Sequence, residues 1–182
     1  LYFSTHQKQH EMKRVTINAY EVGLVFKRGV YQRMLKEGRY WLGFGEDATV
    51  YNITAPFAAP VELNILLQDT ILADALHVID VKETEIVLMY QNGLLKQVLT
   101  AGRYTFWKSP IEYRFVGADI SKVNITENID RATLNHKLLA PFVRTITVEN
   151  YEKAVLLIDG KYEVTLTHGV YYWWRNNISI LV

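Results

Sequence analysis

The stretch Glu85-Ile-Val-Leu-Met-Tyr-Gln-Asn-Gly93, continued by Leu94-Leu-Lys-Gln-Val-Leu99-Thr-Ala-Gly102-Arg-Tyr104, decides the reading of this chain, because it occurs three times. The first copy runs from Glu21 through Gly29 and Leu35 to Gly38 and Tyr40. The third runs from Glu152 through Gly160 and Leu166 to Gly169 and Tyr171. In each copy the first Gly follows the Glu by eight residues and the second Gly follows nine later, with a Leu three before it and a Tyr two after it. Successive copies lie 64 and 67 residues apart. Such self-similarity comes before any local signal, because units that cannot bury an apolar face alone must be stabilised by their neighbours.

Each copy reads as strand, tight turn, strand, tight turn, strand. Val22-Gly-Leu-Val-Phe26 is a short, β-rich apolar run suited to a strand buried on both faces. Gly29 can adopt positive φ without steric cost, and Asn92-Gly93 is the strongest hairpin dipeptide in the chain. Val15 and Ile17, Ile79 and Val81, and Ile146 and Val148 stand at the same offsets before the three Glu residues, so the repeat includes a preceding strand. The fold class expected is mainly β (a β-rich α+β chain): three tandem small β-meander modules with short connecting helices. The modules span residues 12–77, 78–142 and 143–182. Residues 1–11, with His6 and His10, read as the remnant of a tag or linker. Between the copies, residues 61–67 read as a strand, and residues 69–77 as a helix capped by Asp69. A second helix is expected from Thr126, carrying Ile129, Leu134 and Leu138 and closed by Pro141. The apolar tail at residues 178–182 reads as the opening strand of something further on.

Composition narrows the classes. About half the residues are apolar, enough to bury a core, and a formal charge of +1 gives no electrostatic case for nucleic acid. The absence of cysteine removes disulfide and thiolate chemistry and fits a reducing compartment. No apolar run reaches the length of a transmembrane helix, about 18 residues.

No catalytic constellation appears. Glu21, Glu85 and Glu152 have no second carboxylate at a fixed offset, and a triplicated residue at a strand start reads as a turn position. His77, His136 and His168 occupy different repeat offsets, without the spacing that places two ligands on one face. Gly43-Phe44-Gly45 lacks the third Gly of a dinucleotide fingerprint. No enzyme activity, cofactor or metal is therefore expected. Aromatic clusters close each copy, ending in Tyr171-Tyr172-Trp173-Trp174. These read mainly as core, with Trp173 and Trp174 as the candidate interface between modules or subunits.

Three segments carry a resemblance: Tyr20-Glu-Val-Gly-Leu-Val-Phe-Lys-Arg-Gly29, Leu35-Lys-Glu-Gly-Arg-Tyr-Trp41 and Leu99-Thr-Ala-Gly-Arg-Tyr104. They resemble the N-terminal region of bacterial slipins, stomatin-like members of the SPFH superfamily, over roughly residues 12–177. The resemblance implies a scaffold rather than an enzyme. It would self-associate as a homo-oligomer in the full-length protein or dock protein partners, with an SPFH domain following the third repeat. It would sit in the cytoplasm or peripherally on the inner face of the membrane, reaching the bilayer through regions outside this chain. The alternative is a module recognising carbohydrate or peptide through exposed aromatics.

Overall fold

The computed structural model describes residues 12–176 and 180–181, so the expectations for residues 1–11 and for most of the tail lie outside it. Within those residues the fold is mainly β, with several small antiparallel sheets and three short helices.

The first repeat contains β1 (Arg14–Ile17), β2 (Glu21–Lys27), β3 (Val30–Leu35), β4 (Gly38–Trp41) and β5 (Glu46–Asn52). Strands β2 and β3 are joined by Arg28 and Gly29, both at positive φ (50° and 80°). This is the two-residue turn whose twist matches that of paired strands. Asn92-Gly93 (49°, 78°) and Asp159-Gly160 (50°, 75°) repeat it, which accounts for the first Gly of the motif. A register shift interrupts the following ladder at the same place in all three copies, between Val25 and Phe26, Met89 and Tyr90, and Leu156 and Leu157.

The strand order departs from the expected meander. β4 does not pair with β3; it returns to β1, while β5 becomes the third strand beside β2, giving the orders β1-β4 and β3-β2-β5. The second Gly makes the difference. Gly38 has φ 152°, a conformation that side chains rarely adopt, and turns the chain away from the β2–β3 hairpin. The Tyr40 ring lies over it, 3.1 Å from where a Cβ would stand. With partners on both edges, the middle strand β2 is buried from Val22 to Val25.

The second repeat is built the same way from β6 (Leu76–Val81), β7 (Glu85–Gln91), β8 (Leu94–Leu99), β9 (Gly102–Trp107) and β10 (Tyr113–Asp119), with orders β6-β9 and β10-β7-β8. The third has β11 (Val143–Val148), β12 (Ala154–Ile158), β13 (Lys161–Leu166), β14 (Gly169–Trp174) and β15 (Ile180–Leu181), with orders β11-β14 and β13-β12-β15. β15 begins opposite Ile158, where β5 begins opposite Lys27 and β10 opposite Gln91. The described part of the tail, Ile180 and Leu181, therefore pairs with β12 as the third strand of its own repeat's sheet.

The connections also differ in detail from expectation. Residues 61–67 hold α1 (Leu63–Leu66) instead of a strand: the segment follows Pro60, finds no strand partner, and buries Leu66 in the core. α2 (Thr70–Asp74) has Asp69 as its N-cap, as expected, but stops before Leu76 and His77, which enter β6. α3 (Arg131–Leu134) starts behind Asp130, whose carboxylate accepts from the Thr133 N–H at 2.8 Å, and not at Thr126. Its C-cap is Asn135, well before Pro141.

The chain forms two compact units, the first comprising the chain up to Ile79 with Tyr104–Ile111, the second Asp80–Arg103 with the chain from Glu112 onward. Their cores explain this interleaving. In the first, Val22, Leu24 and Met34 of the β2–β3 sheet meet Phe57, Leu66 and Leu72 of the connection and Leu76 and Trp107 of the β6–β9 ribbon. In the second, Ile86, Leu88 and Tyr90 meet Leu139 and then Val143 and Trp174 of the β11–β14 ribbon. The sheet of one repeat is closed by the ribbon of the next. Trp107 and Trp174, at 1% and 0% exposure, are its plugs. Replacing Trp174 by Ala should lower stability by about 3–5 kcal/mol, whereas Trp41→Ala at an exposed site should change it by less than about 0.5 kcal/mol. Urea unfolding of the two variants followed by circular dichroism checks the contrast.

Candidate interaction surface

The motif residues are used locally. Glu21 closes the turn before β2: its N–H donates to the Asn18 carbonyl, and its carboxylate accepts from the Asn18 N–H (2.9 Å) and side-chain amide (2.8 Å). Glu152 repeats this on the Glu149 N–H at 3.2 Å. Glu85 donates its N–H to Lys82 and receives the Lys82 ammonium instead. Leu35, Leu99 and Leu166 are buried at the ends of the hairpins. Gly102 and Gly169 share the conformation of Gly38, and the Tyr171 ring covers Gly169 as Tyr40 covers Gly38. Tyr171 donates its hydroxyl to the Thr167 carbonyl at 2.8 Å, and Tyr104 is half-buried in β9. The fifteen residues of the motif are turn and core positions, and the structure does not converge them on one site.

Trp173 and Trp174 are buried rather than exposed, and Trp174 packs between the second and third repeats. They are 4% and 0% exposed, on opposite faces of β14: Trp174 fills the core under β7, and Trp173 joins Leu156, Leu166 and Val148. Alternation along a strand sends neighbours to opposite faces, and here both faces are covered. The Trp174 indole N–H donates to Glu127 at 3.3 Å, and the same Glu accepts from the Asp119 and Thr126 N–H groups.

One repeated feature escaped the sequence reading. Asn52-Ile53-Thr54 and Asp119-Ile120-Ser121 end β5 and β10 alike. The Asn or Asp side chain accepts from the N–H and hydroxyl two residues on, and the Ile N–H donates to Tyr20 or Thr84 ahead of the motif Glu, at 2.9 Å in both. The two copies lie at different distances from their Glu, which hides them from a search at fixed period.

Two polar clamps hold the first repeat. Arg33 on β3 grips Glu46 on β5 with two hydrogen bonds, 2.6 and 2.9 Å, and Glu46 also accepts from the Gly43 N–H. These donors, Arg33 foremost, pull the Glu46 carboxyl from its ordinary value near 4.5 down to about 2. Tyr31 donates to Asp69 at 2.6 Å, which ties the hairpin to the α2 cap. Burial and the adjacent carboxylate both push the Tyr31 phenol up. For Asp69, burial opposes ionisation, but the Tyr31 hydroxyl and the N–H groups of Leu72, Ile71 and Met34 outweigh it and hold the carboxyl low. Asp80 is held low by Arg103 across the β6–β9 ribbon. Among the described residues no three His, Asp or Glu side chains gather as a metal site, and no helix is long and apolar enough to cross a membrane.

Exposed apolar side chains are spread along the described residues, Tyr20, Val30, Phe44, Ile65, Ile71, Leu94 and Tyr151 among them. On the β1–β4 ribbon, Met12 and Trp41 are exposed. On the β12–β13 sheet, Val155 and Tyr162 are exposed. Compared with protein families, curated proteins and solved structures, the chain has no match.

The Glu46 clamp makes a pH test. Because its folded value lies below its unfolded one, the stability it contributes is complete above about pH 4.5 and is lost as pH falls toward about 2. Thermal midpoints of the parent protein and Glu46→Gln, measured between neutral pH and pH 2, should differ most at neutral pH and converge across that window.

Proposed function

We propose that this chain is a non-enzymatic scaffold region of a slipin-like SPFH protein, acting by self-association or partner docking. The observation that supports the reading is the closure of the first and second repeats' sheets by the ribbon of the repeat that follows, because such an array extends by adding units rather than by building a catalytic cleft. The sequence resemblance supplies the family and, with it, a place in the cytoplasm or on the inner face of a membrane. The triplicated residues, the strongest signal in the sequence, serve turns and cores, which fits selection for architecture.

Light scattering over a concentration series tests the proposal. The expected result is a mass above that of one chain, rising with concentration. A single-chain mass at every concentration up to about 100 μM, together with hydrolytic turnover lost on substituting one carboxylate or histidine, would overturn it.

A second reading, recognition of carbohydrate or peptide, is favoured by the exposed Trp41 and Phe44. The other three tryptophans are buried, so a ligand seated on this surface should act on Trp41 alone. A blue-shifted emission saturating with an oligosaccharide or peptide panel supports it; unchanged emission counts against it.

A further inference from the structure

The two connections that run from a completed sheet to the next ribbon are fastened very differently. In the second unit the connection after β10 is tied down by hydrogen bonds. The Glu127 carboxylate accepts from the Asp119 and Thr126 N–H groups and from the Trp174 indole N–H. The Trp174 backbone N–H donates to the Val123 carbonyl at 3.0 Å, and Asn124 bridges to Trp173. Asn176 donates its side-chain amide to the Lys122 carbonyl at 2.7 Å. The connection after β5 in the first unit has no such ties. Among the described residues, the backbone of residues 56–61 enters no hydrogen bond, and Pro56 and Pro60 have no N–H to give. Every residue from 54 to 60 is exposed except Phe57, at 7%. One side chain holds this strap down.

The Phe57 ring meets Trp107 edge-on, with centroids 4.6 Å apart at 63°, and meets Tyr51 at 5.7 Å and 64°. Leu66 and Leu72 close the same core. Edge-to-face contacts of this kind favour an aromatic occupant over an aliphatic one. The fit is incomplete in one respect. The Trp107 indole N–H is buried and has no acceptor among the described residues. Trp174, which like Trp107 stands five residues after the second Gly of its motif, has Glu127. A buried donor without a partner retains the cost of its desolvation. A phenyl ring carries no oxygen or nitrogen to relieve it. An occupant that combined an aromatic ring with an acceptor would satisfy what Phe57 leaves unmet.

We propose that residues 55–61 form a releasable strap, and that Phe57 is the resident occupant of an aromatic pocket on Trp107 and Tyr51 that a partner peptide takes in its place. The partner is an extended segment bearing an aromatic side chain beside a carbonyl or carboxylate acceptor. Opening breaks no backbone hydrogen bond of residues 56–61 and withdraws one side chain from the core, so it is a local event and not the unfolding of the unit. While the strap is closed the pocket is filled from within the chain. The partner binds only the open fraction, which makes Phe57 an autoinhibitory contact. The inference deepens the partner-docking side of the scaffold reading by naming a site and the chemistry of its ligand, and it makes no demand on self-association.

Two measurements test it. The first is hydrogen exchange of the parent protein in heavy water, followed by nuclear magnetic resonance. The Trp107 indole N–H should be protected at least about 100-fold less than the amide of Leu24, a fully buried residue of the same unit. Equal protection would mean that only unfolding frees Trp107, and the strap is then not releasable. The second uses Phe57→Ala, with a single cooperative thermal transition as the folding control; Phe57→Leu replaces it if that variant does not fold. The probe is the free peptide Ala-Pro-Phe-Ala-Ala-Pro-Val, the sequence of residues 55–61. It should bind the variant saturably, move the Trp107 indole resonance, and bind the parent protein at least about tenfold more weakly, because Phe57 competes there. The same peptide carrying Phe57→Ala should bind neither protein. A folded variant that ignores the peptide, or that binds the Phe-less peptide equally well, overturns the pocket. None of these outcomes alters the mass measured by light scattering, so failure of the strap and failure of self-association are told apart.

Discussion

A strand paired on both edges and apolar on both faces needs cover above and below, and the architecture follows from how that need is met. The middle strand of each hairpin sheet is too short to bury its own surroundings, and a lone small sheet is marginal in water. One face of β2 is covered within its own repeat by Ile17, Leu35 and Leu42. The other is covered by the short helical connection and by Trp107 from the motif that follows. The second unit repeats the solution with Leu139 and Trp174. Each tryptophan is read in sequence as the end of its own repeat and in space as the floor of the one before.

This offset explains why the structural units do not coincide with the sequence repeats. The segment Tyr104–Ile111 belongs by sequence to the second copy and by packing to the first unit. Burial of two large indoles outweighs chain proximity, because a tryptophan left in water forfeits several kcal/mol of transfer free energy.

Much of the local structure was legible in the sequence, for reasons that are local. The two-residue turn at Arg28-Gly29 follows from glycine's tolerance of positive φ, and the cap at Asp69 from a carboxylate placed two residues before the Ile71 N–H. The burial of Val22 to Val25 follows from an unbroken apolar run. The strand order was not legible. Nothing in Gly38-Arg39-Tyr40 states whether β4 continues the hairpin or returns to β1, since both use the same strand and the same turn residue. Nor could Trp173 and Trp174 be assigned to surface or core, because alternation says that neighbours point to opposite faces and leaves open whether both are covered.

The sequence by itself determined the threefold period, the mainly β class, the hairpin turns and the structural character of Glu21, Glu85 and Glu152. These depend on backbone conformations and spacings that neighbouring residues enforce. Only the tertiary structure decided that β5 and β10 complete the sheets and that the second and third ribbons close the repeats before them. It also decided which apolar residues stay exposed. Those outcomes turn on which distant surfaces meet, and contact between residues such as Leu24 and the Trp107 core leaves no mark on either local pattern.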